Sequence, residues 1–425
     1  MTLGCKVNQY ESQIMSELLA ENGYQSAEDY RDADVCIVNS CTVTATGDAK
    51  CRKLINRVRR ENPDCIIGLC GCMPQAFADD SELFLGCDIV MGNTARREIV
   101  SVLEEYLRER RQIIRIAPHE KNEQFEPMRV SGFESRTRAF VKIEDGCNRF
   151  CTYCIIPYAR GRVRSKPLDV LKKEAQDLAL AGFREIVLVG INLSAYGQEF
   201  DADVYDAVRT VCEVEGVERV RLGSIEPERM TEEMLDKLSK LKKFCPHFHL
   251  SLQSGCDETL RRMRRHYDTA EYRRIVENIR RLFENPSITT DVMVGFVGES
   301  EEEFSASLRF CYEIGFAKTH VFPYSRRRGT AADKMDGHIA EHIKHERADI
   351  MIAHMLDAQR RFMQSQVGKR SSVLIETKDK DGFFEGYTPN YTRVRLAGDS
   401  LMIGEIYDIV VTEAADDCCV AEVVR

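Results

Sequence analysis

The sequence predicts an α/β protein with an N-terminal α/β domain, a central series of strand–helix units and a small C-terminal all-β barrel. Three observations predict this class. Apolar, β-branched runs alternate with helix-like segments through the middle of the chain, the same alternation occurs in shorter form near the N-terminus, and short strand-like runs with glycine-bearing turns occupy the C-terminal end. With 425 residues, 43% of them hydrophobic, the chain can bury more than one core.

The N-terminal part contains two runs typical of buried strands, at 34–39 and 65–69, each followed by a turn and a helix-like segment. Three cysteines stand in loops after strand positions: Cys5, Cys41 and Cys72. Because the carboxyl ends of parallel strands gather loops at one edge of a sheet, these cysteines are candidates for a shared metal centre. Ordinary buried cysteines are the alternative, and Cys70 is close enough to Cys72 to compete with it as a ligand.

In the central part, six apolar runs alternate with helical patterns. Strands are predicted at 139–145, 185–190, 217–223, 247–253, 289–295 and 318–324, and helices at 168–181, 231–243, 257–264, 270–284 and 300–314. Six such units imply a parallel sheet with right-handed crossovers, either open or curled into a partial barrel. Ligands of such sheets bind at the carboxyl ends of the strands.

Two changes in composition predict domain boundaries. A charged, irregular stretch at 106–138 indicates a linker, and a helix-like segment that ends at Gly368 indicates a second boundary near 363–370. The predicted domains are therefore 1–120, 133–363 and 364–425. In the last domain, a small barrel often binds oligonucleotides, although a packing module is an equally ordinary interpretation. Its strands are predicted at 371–376, 392–396, 406–412 and 418–424.

The most informative motif follows directly after the first central strand. It places Cys147, Cys151 and Cys154 within eight residues. Thiolates select a soft metal centre, and three of them leave a four-coordinate site or a cluster one ligand short. A four-iron four-sulfur cluster with one open iron fits this number. Zinc and a disulfide are weaker alternatives, because structural zinc normally takes a fourth ligand and the spacing differs from the paired Cys-x-x-Cys motifs of zinc ribbons.

Cysteine content and charge limit the compartment and the partners. The chain has 17 cysteines, an odd number, with neither an N-terminal signal-like segment nor an apolar run of transmembrane length, so we expect a reduced, cytoplasmic location without a membrane partner. The net charge of −9 gives no overall attraction to nucleic acid, so such binding must use local basic surface. The best candidate is the run Arg326, Arg327 and Arg328 after the sixth central strand, whereas the basic residues in 52–60 and 261–265 are more typical of solvated helix faces.

Over essentially its whole length the chain resembles the radical S-adenosylmethionine methylthiotransferases. The resemblance is carried by the three N-terminal cysteine loops and by the segments 141–161, 249–255, 291–296 and 321–325. The segments Leu3-Gly4-Cys5-Lys6-Val7-Asn8 and 386–391 are most similar to the branch that modifies threonylcarbamoyladenosine in transfer RNA. The Gln-Met-Asn of the isopentenyladenosine branch and the Pro-Lys-Asn of the ribosomal-protein branch do not follow Cys5.

The resemblance implies a central partial (βα)6 TIM-like barrel, a C-terminal TRAM-like (OB-like) RNA-binding barrel and two four-iron four-sulfur clusters. One cluster, on Cys147, Cys151 and Cys154, would bind and cleave S-adenosylmethionine. The other, on Cys5, Cys41 and Cys72, would carry sulfur. The implied reaction inserts a methylthio group at carbon 2 of N6-threonylcarbamoyladenosine next to the anticodon, with tRNA rather than DNA as the partner and a flavodoxin or ferredoxin as a possible electron donor.

The resemblance and the strand-end positions also predict contact residues. For S-adenosylmethionine these are Tyr153, Gly190, Asn192, Ser224, Glu226, Gln253, Ser254 and Gly295. For RNA they are the three arginines at 326–328 and, by base stacking, Tyr387 and Tyr391. Packing is the alternative role for Tyr153 and for both barrel tyrosines.

Other functions stay open: methylthiolation of isopentenyladenosine in tRNA, methylthiolation of a ribosomal-protein aspartate, and a non-catalytic iron–sulfur protein that binds RNA or senses redox state. Two positions depart from the family pattern. Cys5 stands only four residues after Met1, so we expect either a shortened first strand or a true start upstream of Met1. Val297 replaces the proline of the usual Gly-Phe-Pro-Gly-Glu motif, which leaves the role of Glu299 open.

Overall fold

The structure is a computed structural model that describes residues 1–133, 136–398 and 400–424. Its contacts divide the chain into two compact units, both discontinuous in sequence. The first unit comprises Met1–Val130, Glu144–Lys166 and Ser325–Lys334, and the second comprises Ser131–Ile143, Pro167–Tyr324 and Met335–Arg425. Both cysteine triplets therefore belong to the first unit.

The chain alternates helices and strands along most of its length. The helices are α1 (Lys6–Glu21), α2 (Ala45–Glu61), α3 (Cys72–Ala76), α4 (Ile99–Glu109), α5 (Ile156–Arg160), α6 (Leu168–Leu180), α7 (Val204–Cys212), α8 (Glu232–Ser239), α9 (Asp257–Arg262), α10 (Thr269–Leu282), α11 (Glu301–Ile314) and α12 (Glu341–Gln364). The strands are β1 (Val35–Ser40), β2 (Ile66–Gly71), β3 (Ile89–Met91), β4 (Ile113–Arg115), β5 (Arg138–Lys142), β6 (Glu144–Asp145), β7 (Arg164–Ser165), β8 (Glu185–Val189), β9 (Arg219–Leu222), β10 (Ser224–Ile225), β11 (His247–Leu250), β12 (Ser287–Val294), β13 (Lys318–Pro323), β14 (Arg370–Lys378), β15 (Phe384–Tyr387), β16 (Arg393–Leu396), β17 (Ile406–Ala414) and β18 (Cys419–Val423). None of the helices in the described ranges is long and apolar enough to cross a membrane.

A parallel sheet in the order β1-β2-β3-β4 forms the centre of the first unit. Its strands are rich in apolar residues because helices cover both faces. Residues of α2 pack on one face around Val38 and Leu69, and residues of α1 and α4 pack on the other around Cys70 and Met91. A two-residue antiparallel ribbon, β6 with β7, belongs to the same unit and brackets the second cysteine triplet.

The two predicted N-terminal strands are present as β1 and β2. The strands β3 and β4 were not predicted. The end of α4 and all of β4 lie within the stretch that was predicted as a linker, so regular structure continues past residue 106. Residues 134 and 135, at the end of that stretch, lie outside the described part of the chain.

The second unit carries the six predicted central strands, and the predicted α/β class is confirmed. They run parallel in two sheets, β5-β8-β9 and β10-β11-β12-β13, in which β9 and β10 are separated only by Gly223. The helices α6 to α11 connect successive strands, as parallel pairing requires. The carboxyl ends of these strands therefore lie at one edge of each sheet.

The C-terminal part of the second unit is a closed barrel in the order β14-β15-β16-β18-β17. All four predicted strands are present, and the short β15 is an addition. The loop that follows β15 packs on the central sheet of the same unit: Arg221 of β9 donates hydrogen bonds to the carbonyl oxygens of Pro389 at 2.7 Å and Thr388 at 3.2 Å.

Candidate functional site

The three N-terminal cysteines lie in loops at the carboxyl edge of the first-unit sheet. Cys41 directly follows β1, and Cys72 directly follows β2. The residues before Cys5 run beside β1, where the Leu3 N–H donates to the Asn39 carbonyl at 2.9 Å and the Asn39 N–H donates to the Met1 carbonyl at 3.0 Å. Thr2 forms a single parallel bridge with Asn39.

Glycine permits the close backbone approach that this convergence needs. Gly4 has φ +113°, and a Cβ built on it would lie 2.6 Å from Cys41 Cβ and 3.2 Å from Cys41 Sγ. Gly71 has φ +99°, and a Cβ there would lie 2.5 Å from Asn39 Oδ1. A larger residue at Gly4 or Gly71 would therefore push the cysteine loops apart.

Burial keeps the Cys41 and Cys72 thiols protonated in the absence of a metal. Burial raises the pKa of Cys41 to about 11, and the neighbouring Cys72 and Cys5 sulfurs add to the rise. Burial also raises the pKa of Cys72, and the Arg160 guanidinium acts in the opposite direction. Because metal ligation takes thiolates, iron binding at these residues must displace protons.

Cys70 has a different environment from Cys72. Its side chain is buried in the apolar cluster formed by α1, α4 and the sheet, with Sγ 3.9 Å from Met15 Sδ and 3.7 Å from the Val38 carbonyl oxygen. Burial raises the pKa of Cys70 to about 12. This placement supports Cys72 as the ligand.

The second triplet lies in the loop that joins β6 to β7. Cys151 is buried, and Cys147 and Cys154 are half-buried. The Cys147 N–H donates to the Gly161 carbonyl at 3.0 Å, and the Cys154 N–H donates to the Cys151 carbonyl at 3.0 Å, so the loop folds back on itself. Tyr153 is half-buried within it.

Gly146 starts this loop in a conformation that other residues rarely adopt. It has φ +84°, and a Cβ there would lie 1.9 Å from the Arg162 carbonyl oxygen. The Asp145 carboxylate fixes the turn by accepting the Gly146 N–H at 2.9 Å. The loop is thereby closed by its own residues.

Each triplet offers the donor set that an iron–sulfur cluster with one open iron requires: three soft sulfur ligands and glycine-permitted close packing. Among the described residues, His, Cys, Asp and Glu side chains form no group of three or more that already has metal-binding geometry. The assignment of clusters to these cysteines accordingly rests on donor chemistry and on their convergence.

In the first unit, a buried charge network joins Cys72 to Asp145 and Arg160, which flank the second triplet in sequence. Arg160, which is 0% exposed, pairs with Glu11 at 2.7 Å and with Asp145 at 3.1 Å, and its Nε donates to Cys72 Sγ at 3.3 Å. Arg96 pairs with Glu11 at 3.2 Å. Burial alone would lower the pKa of Arg160, but Cys72, Glu11 and Asp145 together raise it, so the guanidinium stays charged.

The other residues predicted to contact S-adenosylmethionine belong to the second unit and lie near the carboxyl ends of its strands. Gly190 directly follows β8 and Gly295 directly follows β12, while Ser224 begins β10. Asn192 is 4% exposed, Gln253 8% and Ser254 0%. Their shared position at strand ends keeps them as candidates.

Two of these strand-end positions are held by ion pairs. Glu226 pairs with the buried Arg265, a member of a basic run that was predicted to be solvated. The carboxylate of Glu299 accepts the Gly295 N–H at 2.7 Å and pairs with Arg347 at 2.8 Å. Glu299 is 4% exposed, so its carboxylate is held beside Gly295 although valine stands at 297.

The residues predicted to bind RNA are largely engaged within the protein. Arg327 is 4% exposed and pairs with Asp48 at 2.7 Å, so its phosphate-binding role is corrected to a buried structural one. Arg326 and Arg328 are exposed and pair with Asp333 and Asp80. They stay candidates for phosphate contacts.

Tyr387 and Tyr391 form a packed stack in the second unit. Their ring centroids lie 4.5 Å apart, and the Tyr391 ring lies 4.6 Å from that of His247 and 4.7 Å from the Arg221 guanidinium carbon. This arrangement favours the packing alternative over base stacking, because both faces of Tyr391 are covered.

Several polar residues of the site were not found from the sequence. In the first unit, Asn93 and Arg160 contact Cys72 Sγ, and Arg160 in turn bonds Asn8 and Glu11. In the second unit, His249 shares hydrogen bonds with Thr289 at 3.0 Å and Asp291 at 3.2 Å. The motifs around Arg160 and His249 were singled out, but nothing in the sequence pairs them with distant partners.

Comparisons with known proteins agree with this architecture. The radical SAM superfamily model matches residues 141–311, and the model described as uncharacterized protein family UPF0004 matches residues 1–92. In solved structures the fold is similar to a radical S-adenosylmethionine methyltransferase from Kitasatospora setae with cobalamin and a [4Fe-4S] cluster bound, with a TM-score of 0.57 and 16% identity over 76% of this chain and 70% of that chain. It is also similar to a cobalamin-dependent S-adenosylmethionine radical enzyme, with a TM-score of 0.51 and 11% identity over 82% and 56%.

Curated relatives match nearly the full length. The chain is 38% identical to the threonylcarbamoyladenosine tRNA methylthiotransferase of Bacillus subtilis, over 97% of this chain and 93% of the relative. It is 36% identical to the protein of the same name from Thermotoga maritima, over 98% and 94%. It is 33% identical to the tRNA-2-methylthio-N(6)-dimethylallyladenosine synthase of Pelotomaculum thermopropionicum, over 97% and 94%. The chain therefore belongs to the radical S-adenosylmethionine methylthiotransferases, a family of enzymes.

Proposed function

We propose that this protein is a cytoplasmic tRNA methylthiotransferase that inserts a methylthio group at carbon 2 of N6-threonylcarbamoyladenosine. It would use S-adenosylmethionine, two four-iron four-sulfur clusters and an electron donor such as a flavodoxin or ferredoxin. The observation that carries the proposal is the convergence of Cys5, Cys41 and Cys72 in the same unit as the 147–154 triplet. Relatives that match 97–98% of the chain and bear the threonylcarbamoyladenosine name support the choice of substrate.

The target explains the need for two metal centres. Carbon 2 of adenine carries an unactivated carbon–hydrogen bond that no side chain deprotonates at neutral pH. Cys147, Cys151 and Cys154 would hold the cluster that donates an electron for S-adenosylmethionine cleavage, and Cys5, Cys41 and Cys72 would hold a cluster with an open iron for the sulfur to be transferred.

The chain's own residues bind and orient the reactants. The Gly146 turn and the folded-back loop hold three sulfurs on one short segment. In the second unit, the Glu299 carboxylate accepts the Gly295 N–H and so fixes the backbone directly after β12. The burial of Asn192, Gln253 and Ser254 keeps water from these strand ends.

A second candidate is methylthiolation of isopentenyladenosine, because a relative with 33% identity bears the dimethylallyladenosine name. The two nucleosides share the adenine ring and differ in the N6 group, which carries a carboxylate in one and is apolar in the other. Activity on separate tRNA substrates distinguishes the two.

The test is anaerobic turnover of the reconstituted full chain with reductant, S-adenosylmethionine and tRNA that carries either nucleoside, followed by digestion and mass spectrometry. The proposal expects a nucleoside in which one hydrogen is replaced by a methylthio group, formed from the threonylcarbamoyl substrate. Product from the isopentenyl tRNA alone would favour the second candidate. Absence of both product and 5′-deoxyadenosine from fully loaded protein would contradict enzymatic function on these substrates.

Matched cysteine variants assign the roles. Cys151→Ala should abolish 5′-deoxyadenosine, whereas Cys41→Ala should retain cofactor cleavage and lose the methylthio product. The controls are Cys212→Ala and Cys36→Ala, which change cysteines outside both triplets. Normal product from Cys41→Ala would contradict the role of the N-terminal triplet.

A further inference from the structure

Arg160 belongs to the segment that carries the second triplet and reaches the first one. It ends α5, which begins two residues after Cys154. Its side chain is 0% exposed, and its contacts with Glu11 and Cys72 lie 149 and 88 residues away in sequence. One residue thus joins the backbone of one cysteine loop to a thiol of the other, within the first unit.

All three nitrogens of the Arg160 guanidinium donate hydrogen bonds. Nη1 donates to Glu11 Oε1 at 2.7 Å and to Asp145 Oδ1 at 3.1 Å, and Nη2 donates to Asn8 Oδ1 at 2.9 Å. The remaining nitrogen, Nε, donates to Cys72 Sγ at 3.3 Å. The ion pairs hold the planar group in place, so the Nε–H has a fixed direction toward the sulfur.

Asn93 provides a second link of the same kind. Its Nδ2 donates to the Ala159 carbonyl oxygen at 2.6 Å and lies 3.8 Å from Cys72 Sγ. The residue before Arg160 is therefore fixed to the same surroundings of Cys72. Two neighbouring positions of α5 make this connection.

We propose that Arg160 is a positioning residue shared by both cysteine triplets, which raises the reduction potential of the cluster ligated by Cys72 while it fixes the segment after Cys154. The inference rests on the proposed function, because it takes Cys72 as a cluster ligand. Reduction adds negative charge to a cluster, and a buried positive group that donates to a ligand sulfur stabilises the reduced form. Loss of that group shifts the potential to more negative values.

The experiment is a potentiometric titration of the N-terminal cluster, with dithionite and mediators, in full-length protein whose Cys147, Cys151 and Cys154 are alanine. Arg160→Gln in this background should shift the reduced-to-oxidised ratio at a fixed potential at least tenfold toward oxidised, which is about 59 mV for one electron. Arg160→Lys keeps the positive charge and should shift the ratio less than Arg160→Gln does. If the glutamine variant does not fold, the lysine variant is measured in its place.

Arg96→Gln is the matched control, because Arg96 is equally buried and shares Glu11 with Arg160 while its own Nη1 donates to Asn93 at 2.9 Å. A purely structural role predicts equal shifts for Arg96→Gln and Arg160→Gln and would overturn the inference, as would an unchanged potential in Arg160→Gln. Failure of the background protein to bind iron would instead overturn the two-cluster assignment, and the inference with it.

Discussion

Replacing Glu185 with glutamine should destabilise the second unit strongly, because this carboxylate neutralises a buried group of arginines. Glu185 is 0% exposed and lies opposite Arg138 and Arg219 in the register of β5, β8 and β9. Its oxygens are 2.8 Å from Arg221, 3.6 Å from Arg219 and 3.9 Å from Arg138. Arg221 in turn holds the barrel loop at Thr388 and Pro389.

The magnitude follows from burial. Removal of one partner of a buried ion pair costs about 3–5 kcal/mol of unfolding free energy, because the remaining charges stay desolvated. Glu185→Gln preserves shape and one acceptor oxygen, so we expect about 3 kcal/mol. The control Glu218→Gln removes a half-exposed partner of Arg184 and should cost about 0–1 kcal/mol.

The pH dependence has a definite sign. Burial alone would raise the pKa of Glu185, but Arg221, Arg138 and Arg219 together hold it below its usual value. The stabilisation is therefore present above the unfolded-state pKa of about 4.3 and is lost as pH falls through the lower folded-state pKa. The stability difference between the parent protein and Glu185→Gln should shrink in the same acid range.

Urea unfolding at neutral and acid pH measures these differences. Because the chain has no tryptophan, tyrosine fluorescence reports on its 15 tyrosines, Tyr387 and Tyr391 among them, and circular dichroism reports on the helices. A loss below about 1 kcal/mol in Glu185→Gln at neutral pH, equal to that of Glu218→Gln, would refute the reasoning.

Three further substitutions test the loops and the stack. Gly146→Ala should release iron from the 147–154 triplet. The control Gly182→Ala should keep iron, because Gly182 has φ +92° with open space around it and its replacement adds a similar backbone strain of about 1–2 kcal/mol. Equal iron content in the two variants would contradict the role of the Gly146 turn. Glu299→Ala removes the acceptor of the Gly295 N–H and should weaken S-adenosylmethionine binding about tenfold, or about 1.4 kcal/mol, as measured by equilibrium dialysis. An unchanged affinity would contradict a role of Gly295 in cofactor binding. Tyr391→Ala should lower the free energy of unfolding in urea by about 1–3 kcal/mol and leave tRNA affinity in filter binding within about twofold. Unchanged stability together with weakened tRNA binding would support base stacking as the role of Tyr391.

Local patterns predicted the secondary structure where strands are apolar and long. The six central runs are all present as parallel strands, and β8 and β12 show the apolar, buried pattern of such a sheet most clearly. The short strands β4 and β15 were not predicted, because charged residues and glycine surround them in the sequence. Their conformation depends on pairing with a neighbouring strand. The boundaries 1–120, 133–363 and 364–425 stay a prediction about the domains.

The candidate ligands could be named from the sequence and stay predictions, whereas the residues around them could not be predicted. Cysteine spacing and strand-end position are local, so both triplets could be named from sequence. Arg160 and Glu11 are 149 residues apart, and Arg327 and Asp48 are 279 apart, so nothing in a local pattern distinguishes these buried arginines from solvated ones. In the run 326–328 the middle side chain is buried and the outer two are exposed. The sequence of the run does not show this, because burial depends on residues that are distant in the chain.

The central claim is that each cysteine triplet holds its own four-iron cluster. The most direct test measures iron and sulfide content, with Mössbauer spectra, in the parent protein and in two triple-alanine variants, one lacking Cys5, Cys41 and Cys72 and the other lacking Cys147, Cys151 and Cys154. We predict about eight iron atoms per parent chain and about half of that number in each variant. Retention of the full iron content when Cys5, Cys41 and Cys72 are alanine would contradict the second cluster.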